Sequence, residues 1–211
     1  MEQYIKELLV PILWEALFII SCVFLPKDYY IYTNFLFYFG IIVYFLKKGY
    51  FSLNELKKNL IAGKKFWIPV ALTILCLILA FAVSYLPKMF FPNLDEGMIG
   101  LKRDNWTRLV LFAISTIIFP PLAEELFYRK AIINFQSKPI LFLSTIIGMI
   151  LYALEHSLSL YGVLMTMIWS IPFSISYIKT KNIYIPIMAH FIVNLIGNGS
   201  SAIITAIHFL H

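Results

Sequence analysis

At residues 120–129 the chain reads PPLAEELFYR, which places two adjacent carboxylates and an arginine at the end of an otherwise apolar segment. A carboxylate at membrane depth costs several kcal/mol unless it is paired, so an ionisable group there is a candidate functional residue. On a helix, Glu125 and Arg129 share a face, whereas Glu124 lies about 100° round the axis. The pattern predicts that the arginine holds one acid and leaves the other available for chemistry.

The composition is that of a membrane protein. Of 211 residues, 61% are hydrophobic and 13% are charged, and the mean hydropathy is +0.83, whereas soluble domains average about 45–50% apolar and 25% charged residues. The net charge of +6 does not indicate binding to nucleic acid, because the basic residues cluster in short loops where they set membrane orientation. Cys22 and Cys76 fall inside apolar runs and are interpreted as packing residues.

Seven apolar segments are candidates for membrane spans, each of which needs about 20 mostly apolar residues. They are Leu8–Leu25, Tyr29–Leu46, Phe66–Leu86, Trp106–Phe135, Pro139–His156, Leu160–Ile178 and Ile183–Phe209. If the first or last segment lies at the interface instead, the number of spans is six. No repeat or flexible linker divides the chain. Residues 1–211 are therefore predicted to form one integral membrane domain, an all-α transmembrane helical bundle with a polar site inside the membrane.

The segment between the second and third spans, residues 47–65, is rich in lysine. Its apolar residues follow helical spacing after Ser52, a candidate N-cap, which predicts an amphipathic helix on the membrane surface; a solvated basic loop is the alternative. The basic bias places this segment and the N-terminus in the cytoplasm. Frequent lysine, isoleucine and asparagine beside few arginines hint at an AT-rich bacterial genome, and hence at the bacterial plasma membrane.

Further polar residues lie in the later apolar segments. Tyr152 and His156 close the fifth segment one helical turn apart on one face, and His190 and Asn194 share a face of the seventh. Straight helices would leave these groups and the acids at different depths. We expect helix tilts of about 20° or more, together with a kink at Pro120-Pro121 that frees backbone carbonyls, to bring them together.

The five candidate catalytic residues suit the activation of water: Glu124, Glu125, His156, His190 and Asn194. A carboxylate takes a proton from water, an imidazole orients the water or donates to a leaving amine, and a carboxamide stabilises an oxyanion. Two histidines and a glutamate could equally bind zinc, with the second glutamate as the base. No serine or cysteine arrangement suggests a nucleophile. The set predicts hydrolysis by activated water.

Each of these residues also has a structural interpretation. The two acids could pair with Arg129 and Lys130 at the cytoplasmic rim, and His190 and Asn194 could each hydrogen-bond a neighbouring helix. His156 could lie at the outer interface. Glu155 points about 100° away from His156 on a helix, so we assign it an interface or packing role.

Three motifs in order on separate apolar segments carry a family resemblance: Glu124-Glu125 with Arg129, Tyr152 with His156, and His190 with Asn194. They resemble the EExxxR, FxxxH and HxxxN signatures of the CPBP intramembrane proteases, also called the Abi family, which includes the type II CAAX prenyl endopeptidases. The resemblance covers roughly residues 105–200. Tyrosine replaces the usual phenylalanine at position 152 and keeps the aromatic ring.

The resemblance implies a role for each motif residue. Glu124 would activate the water with help from His156, while His190 and Asn194 would position the water and stabilise the oxyanion. The arginine would hold the second glutamate ionised and oriented. Family members are often metalloproteases, so zinc bound by Glu124, His156 and His190 is one possibility, and a metal-free mechanism with no cofactor is the other.

The predicted function is an intramembrane endopeptidase that cleaves a peptide bond of a membrane-associated peptide or lipidated protein near the cytoplasmic half of the bilayer. Its partners are membrane lipid and this substrate. The bacterial composition favours a short peptide over a prenylated protein. The alternative is a non-proteolytic membrane protein that binds a partner in bacteriocin self-immunity or regulation. A small proton-coupled transporter is disfavoured, because the sequence shows no inverted repeat.

Overall fold

The computed structural model describes residues 2–210, and the side chains of residues 6–210; within this range it is 81% helical without a strand. The helices are α1 Glu2–Phe24, α2 Tyr30–Lys47, α3 Leu53–Leu60, α4 Lys64–Phe90, α5 Trp106–Ala131, α6 Lys138–Leu154, α7 Leu160–Thr180 and α8 Tyr184–Leu210. The predicted all-α membrane bundle is confirmed.

Six of the described helices are long and apolar enough to cross a membrane. The segment that falls short is α6, whose 17 residues span about 26 Å at 1.5 Å per residue, against a hydrocarbon core of about 30 Å. The sequence left six or seven spans open; α1 and α8 are both long and apolar enough to cross, and α6 is the shorter apolar helix.

The lysine-rich segment contains the predicted amphipathic helix, α3. The Ser52 side chain accepts a hydrogen bond from the Glu55 backbone N–H at 3.4 Å and caps the helix start. Leu56 and Leu60 pack against the hydrophobic core, while the lysines face outward. Helical periodicity and the cap residue were enough to predict this element.

Helix α5 is irregular where the sequence predicted a kink. It is α-helical over Trp106–Ala113, forms a wider π-helical turn at Ile114–Ile118, returns to α-helix at Phe119–Glu124 and ends in a second π-helical stretch. Pro120 has no N–H for the Thr116 carbonyl four residues earlier. The Asn198 side chain of α8 donates to that carbonyl at 3.0 Å. A neighbouring helix thus supplies the partner that the proline removes.

Helix α5 also lies at the centre of the bundle, in contact with α2, α6, α7 and α8. Every residue from Ala123 to Arg129 is at most 1% exposed. The two acids and the arginine are therefore enclosed by protein on all sides of the helix, and their partners must come from the surrounding helices.

Candidate active site

The predicted motif residues converge on one cavity of about 470 Å³. Glu124, Tyr152, His156, His190 and Asn194 all line it. The helix distortion that the sequence required is present in α5, and His156 lies in the turn that follows α6, which ends at Leu154.

Behind the cavity wall, Glu125 and Arg129 form the predicted pair. The Arg129 Nη1 atom lies 3.4 Å from Glu125 Oε1, and neither side chain is exposed. The guanidinium also donates to Ser170 Oγ at 2.8 Å and stacks on two rings, 4.7 Å from the Tyr152 centroid and 5.2 Å from that of Phe173. A buried cation is tolerated here because a carboxylate, a hydroxyl and two aromatic faces replace its water shell.

The second acid, Glu124, faces the cavity. Its Oε1 atom accepts a hydrogen bond from the Tyr38 hydroxyl at 2.7 Å. Its Oε2 atom is buried and has no hydrogen-bond partner among the residues that the structure describes. The nearest ring nitrogen to Oε2 is His190 Nε2 at 3.9 Å. A buried carboxylate oxygen without a protein donor needs water, a proton or a cation, so this atom is the natural position for chemistry.

His190 has a defined tautomer. Its Nδ1 atom lies 3.0 Å from Glu125 Oε1, and because an ionised carboxylate only accepts, Nδ1 carries the hydrogen. The Nε2 lone pair then points towards the cavity side of the ring. Phe173 stacks on the imidazole with centroids 4.6 Å apart and fixes its plane. Asn194, one turn further along α8, completes this wall.

His156 is oriented by its own helix end. Its Nδ1 atom lies 2.8 Å from the Tyr152 carbonyl oxygen, and since a carbonyl only accepts, Nδ1 donates there and Nε2 keeps its lone pair. The Tyr152 ring packs on the imidazole at 4.4 Å. Both histidines therefore present one acceptor nitrogen each, the state that suits water orientation or metal binding.

Glu155 belongs to the site, and its assignment to an interface or packing role is wrong. It is 4% exposed. Its carboxylate accepts from the Tyr128 hydroxyl at 2.6 Å, and its Oε1 atom lies 3.0 Å from the Tyr38 hydroxyl, whose single hydrogen is shared between Glu155 and Glu124. The phenols come from α2 and α5, and only tertiary packing brings them to this turn. Tyr38 thereby contacts both Glu124 and Glu155, although α2 carries no recognisable motif.

The possible metal donors differ by one residue from the predicted zinc set. Donor atoms of Glu124, Glu155 and His156 lie within 4.8 Å of one another, and His190 is outside this group among the described residues. The reason is that Glu125 holds His190 from the far side of the cavity wall. Two carboxylates and an imidazole, with Glu124 Oε2 unpartnered, are a donor set that fits zinc.

A fourth buried acid, Glu15 of α1, is 1% exposed, and its carboxylate oxygens have no hydrogen-bond partner in residues 6–210. Its polar neighbours are Tyr128 and Glu155, so it extends the acidic network away from the cavity. In the sequence, Glu15 is an acid within the apolar run of the first segment. Nothing in the geometry gives it a chemical role.

Two comparisons with known proteins agree with the three motifs. Residues 106–196 match the family model described as type II CAAX prenyl endopeptidase Rce1-like. A Bacillus subtilis protein named "Putative membrane peptidase YdiL" is 24% identical over 135 residues, which are 59% of this chain and 55% of that protein. The chain thus spans about half the length of this curated relative. No solved structure matches the chain.

The matched residues contain α5, α6, α7 and the first half of α8, and so every side chain of the three motifs. Over this segment the chain is similar to the CAAX-type membrane proteases, through the Rce1-like family model and the Bacillus subtilis relative.

Proposed function

We propose that this chain is an intramembrane endopeptidase in which Glu124 activates water for attack on a peptide bond. The observation that carries the proposal is the bare Glu124 Oε2 atom, which is buried on the cavity wall 3.9 Å from His190 Nε2. A water about 2.8 Å from both atoms, an ordinary hydrogen-bond distance, donates one hydrogen to each of these acceptors. Its lone pairs are then directed into the cavity.

In the proposed reaction, the residues of the site account for each proton that is transferred. The water oxygen bonds to the scissile carbonyl carbon while Glu124 takes the water proton; the C–N bond then breaks, and Glu124 returns that proton to the leaving amine. Asn194 donates to the developing oxyanion from the same wall. Arg129 pairs with Glu125, and Glu125 in turn holds the His190 Nδ1 hydrogen. His156 assists at the leaving-group side.

Zinc would be held by Glu124, Glu155 and His156, and its chemistry there is polarisation of the carbonyl and a lower pKa of bound water. Zinc analysis of the purified protein, beside chelator sensitivity, separates the two mechanisms. Full cleavage activity in a metal-free preparation excludes the zinc version. If zinc is bound, Glu155→Gln should lower its affinity by about 10–100-fold, while Glu55→Gln, on the exposed face of α3, should leave it unchanged.

The substrate we propose is a short membrane-associated peptide. The test is incubation of the purified chain in lipid nanodiscs with candidate peptides and identification of the products by mass spectrometry. Glu124→Gln keeps the shape of the side chain and removes the base, so we expect kcat to fall by about 10²–10⁴-fold. Glu55→Gln is the control. A cut made equally well by Glu124→Gln would exclude Glu124 as the base, and a phenotype in immunity kept by that variant would favour the non-proteolytic alternative.

A further inference from the structure

The cavity is open at one end of the bundle and sealed at the other. We call the end that carries residues 47–65 the lysine-rich end, and the end that carries residues 91–105 the opposite end. Helix α8 starts at the lysine-rich end, because the Tyr184 hydroxyl bonds to the backbone of Ser52. Residues 91–105 bond to the turn after α6, through Ile99 N–H and the His156 carbonyl at 2.9 Å.

Among residues 6–210, none that lines this cavity lies between the site and the lysine-rich end. Leu126, Phe127 and Arg129 are fully buried below Glu124. The Lys130 ammonium donates to the Tyr50 carbonyl at 2.5 Å and ties the lysine-rich segment over the end of α5. A peptide cannot reach Glu124 from this side without breaking the core.

Towards the opposite end, the lining continues along α8 and α4. On α8 it runs from His190 through Asn194 to Asn198, which at 1.5 Å per residue is about 12 Å further from the lysine-rich end. On α4 it reaches Tyr85, and beyond that Met98; these side chains are 44% and 39% exposed, whereas Glu124 is 1% exposed. Exposure therefore rises from the site to the opposite end.

Besides Glu124 Oε2, two buried polar atoms on the wall lack a partner within residues 6–210. They are Oδ1 of Asn34 on α2 and Oγ of Ser115 on α5, whose side chains are 7% and 0% exposed. Both residues line the cavity on its way out from Glu124. A buried acceptor and a buried hydroxyl left unpaired cost free energy unless a ligand or water satisfies them. An extended peptide offers main-chain N–H and C=O groups that match them.

The charges of the two ends give their orientation. Residues 47–65 hold six lysines and one glutamate, while residues 91–105 hold three acids and two bases. Lysine-rich loops remain in the cytoplasm. We propose that the cavity receives its peptide substrate from the non-cytoplasmic side of the membrane, with Asn34 and Ser115 bonding to the substrate main chain. The substrate part of this inference depends on the proposed proteolysis, whereas the direction of access does not.

Access is tested by cysteine labelling of the full chain in intact bacterial cells with a membrane-impermeant sulfonated maleimide. Cys76, the exposed native cysteine, is first replaced by serine; Cys22 is buried. We expect Thr116→Cys, inside the cavity, and Met98→Cys, at its mouth, to react in intact cells. Lys57→Cys on α3 should react at least tenfold faster after permeabilisation than before it.

Three results would overturn the proposal: Thr116→Cys reacting only after permeabilisation, Thr116→Cys staying unreactive from both sides while Met98→Cys reacts, or Lys57→Cys reacting in intact cells. None of these labelling measurements requires peptide cleavage. They therefore test the direction of access independently of the proposed proteolytic activity.

The main-chain contacts are tested by kinetics on a cleaved peptide. We expect Asn34→Leu and Ser115→Ala each to raise KM by about tenfold with kcat unchanged, because each removes a contact made equally in the ground and transition states. Ser200→Ala, on an exposed part of α8, is the matched control. Unchanged KM in both cavity variants would remove Asn34 and Ser115 from the substrate path.

Discussion

At the scale of single residues, the molecule is built around a buried ion pair that serves geometry. Arg129 and Glu125 are both fully buried, and pairs of this kind contribute little net stability because both charges lose their water. What the pair achieves is position: Glu125 keeps a ring nitrogen of His190 in place at 3.0 Å. In the EExxxR pattern, Glu125 and Arg129 lie four residues apart. This spacing is about one helical turn, so the two side chains meet on one face of the helix.

The first prediction follows from that pair. Arg129→Met leaves Glu125 as a buried carboxylate without its cation, and we expect the free energy of unfolding to fall by about 3–5 kcal/mol. The measurement is thermal unfolding in detergent micelles. Arg108→Met is the control, since its pair with Asp104 lies at the surface, and it should change stability little.

Adding Glu125→Gln to Arg129→Met should restore part of the lost stability, because the unpaired charge is removed with its partner. If the double variant is no more stable than Arg129→Met, the cost comes from lost packing on Tyr152 and Phe173 and not from the carboxylate.

At the scale of the element, α5 is shaped by its prolines and its neighbour. The π-helical turn ends two residues before Pro120, and the carbonyl freed by that residue is satisfied by Asn198. A π-helical turn contains more residues than an α-helical turn. It therefore rotates the side chains of all later residues about the helix axis. The direction of Glu124 and Glu125 therefore depends on the π-helical turn that starts at Ile114 and ends at Ile118.

The second prediction tests this coupling. Asn198→Leu leaves the Thr116 carbonyl without its donor, so we expect a loss of about 1–3 kcal/mol in the free energy of unfolding. In a Pro120→Ala background the backbone gains an N–H that can reach the same carbonyl. The loss from Asn198→Leu should then be smaller by at least about 0.5 kcal/mol in a double-mutant cycle. Additive effects would show that the two residues act independently.

Helix α7 depends on a glycine in a different way. A Cβ placed on Gly162 would fall on the Glu96 carbonyl oxygen and the Ser157 hydroxyl, which join residues 91–105 to the turn that carries Glu155 and His156. A Cβ on Gly197 of α8 would meet no atom within 4 Å. Both glycines are helical, so they form a matched pair.

The third prediction uses this pair. Gly162→Ala should lower the free energy of unfolding by about 1–3 kcal/mol through overpacking and reduce cleavage, because the turn moves. Gly197→Ala should be neutral or stabilise by up to about 1 kcal/mol through helix propensity. Thermal unfolding and peptide cleavage, measured on both variants, check the contrast. Equal effects would show that backbone entropy, and not the contact at Gly162, governs the result.

At the scale of the whole molecule, the polar site is possible because the bundle is uneven in thickness. The short helix α6 ends where residues 91–105 cover its turn, and its 17 residues bring His156 to the depth of Glu124. A longer α6 would carry His156 past the acids. The short length of α6 is therefore what allows His156 to line the cavity.

The fourth prediction follows from that short helix. In phosphatidylcholine bilayers with acyl chains of 14 to 22 carbons, we expect thermal stability and cleavage to be highest in the thinner members, because α6 spans about 26 Å and mismatch costs fractions of a kcal/mol per Å. Optimal activity in the thickest bilayer would show that the surrounding helices, and not α6, set the match to the membrane.

The sequence by itself determined the helical class, the spans within a few residues, the amphipathic α3 and its Ser52 cap, and the three pairs of motif residues. These follow from local rules, since apolar runs, helical periodicity and caps depend on neighbours in the chain. The pairing of Glu125 with Arg129 belongs to the same group, because both lie on one helical face.

Only the tertiary structure decided which groups meet. Tyr38 on α2 and Tyr128 on α5 draw Glu155 into the site, and Glu125 holds His190 outside the possible metal donors, although nothing near these residues in the chain indicates either contact. The end of the bundle at which the cavity opens could not be predicted from the sequence either. The physical reason is that each of these features depends on how separate helices approach one another, and that approach is set by the packing of the whole bundle.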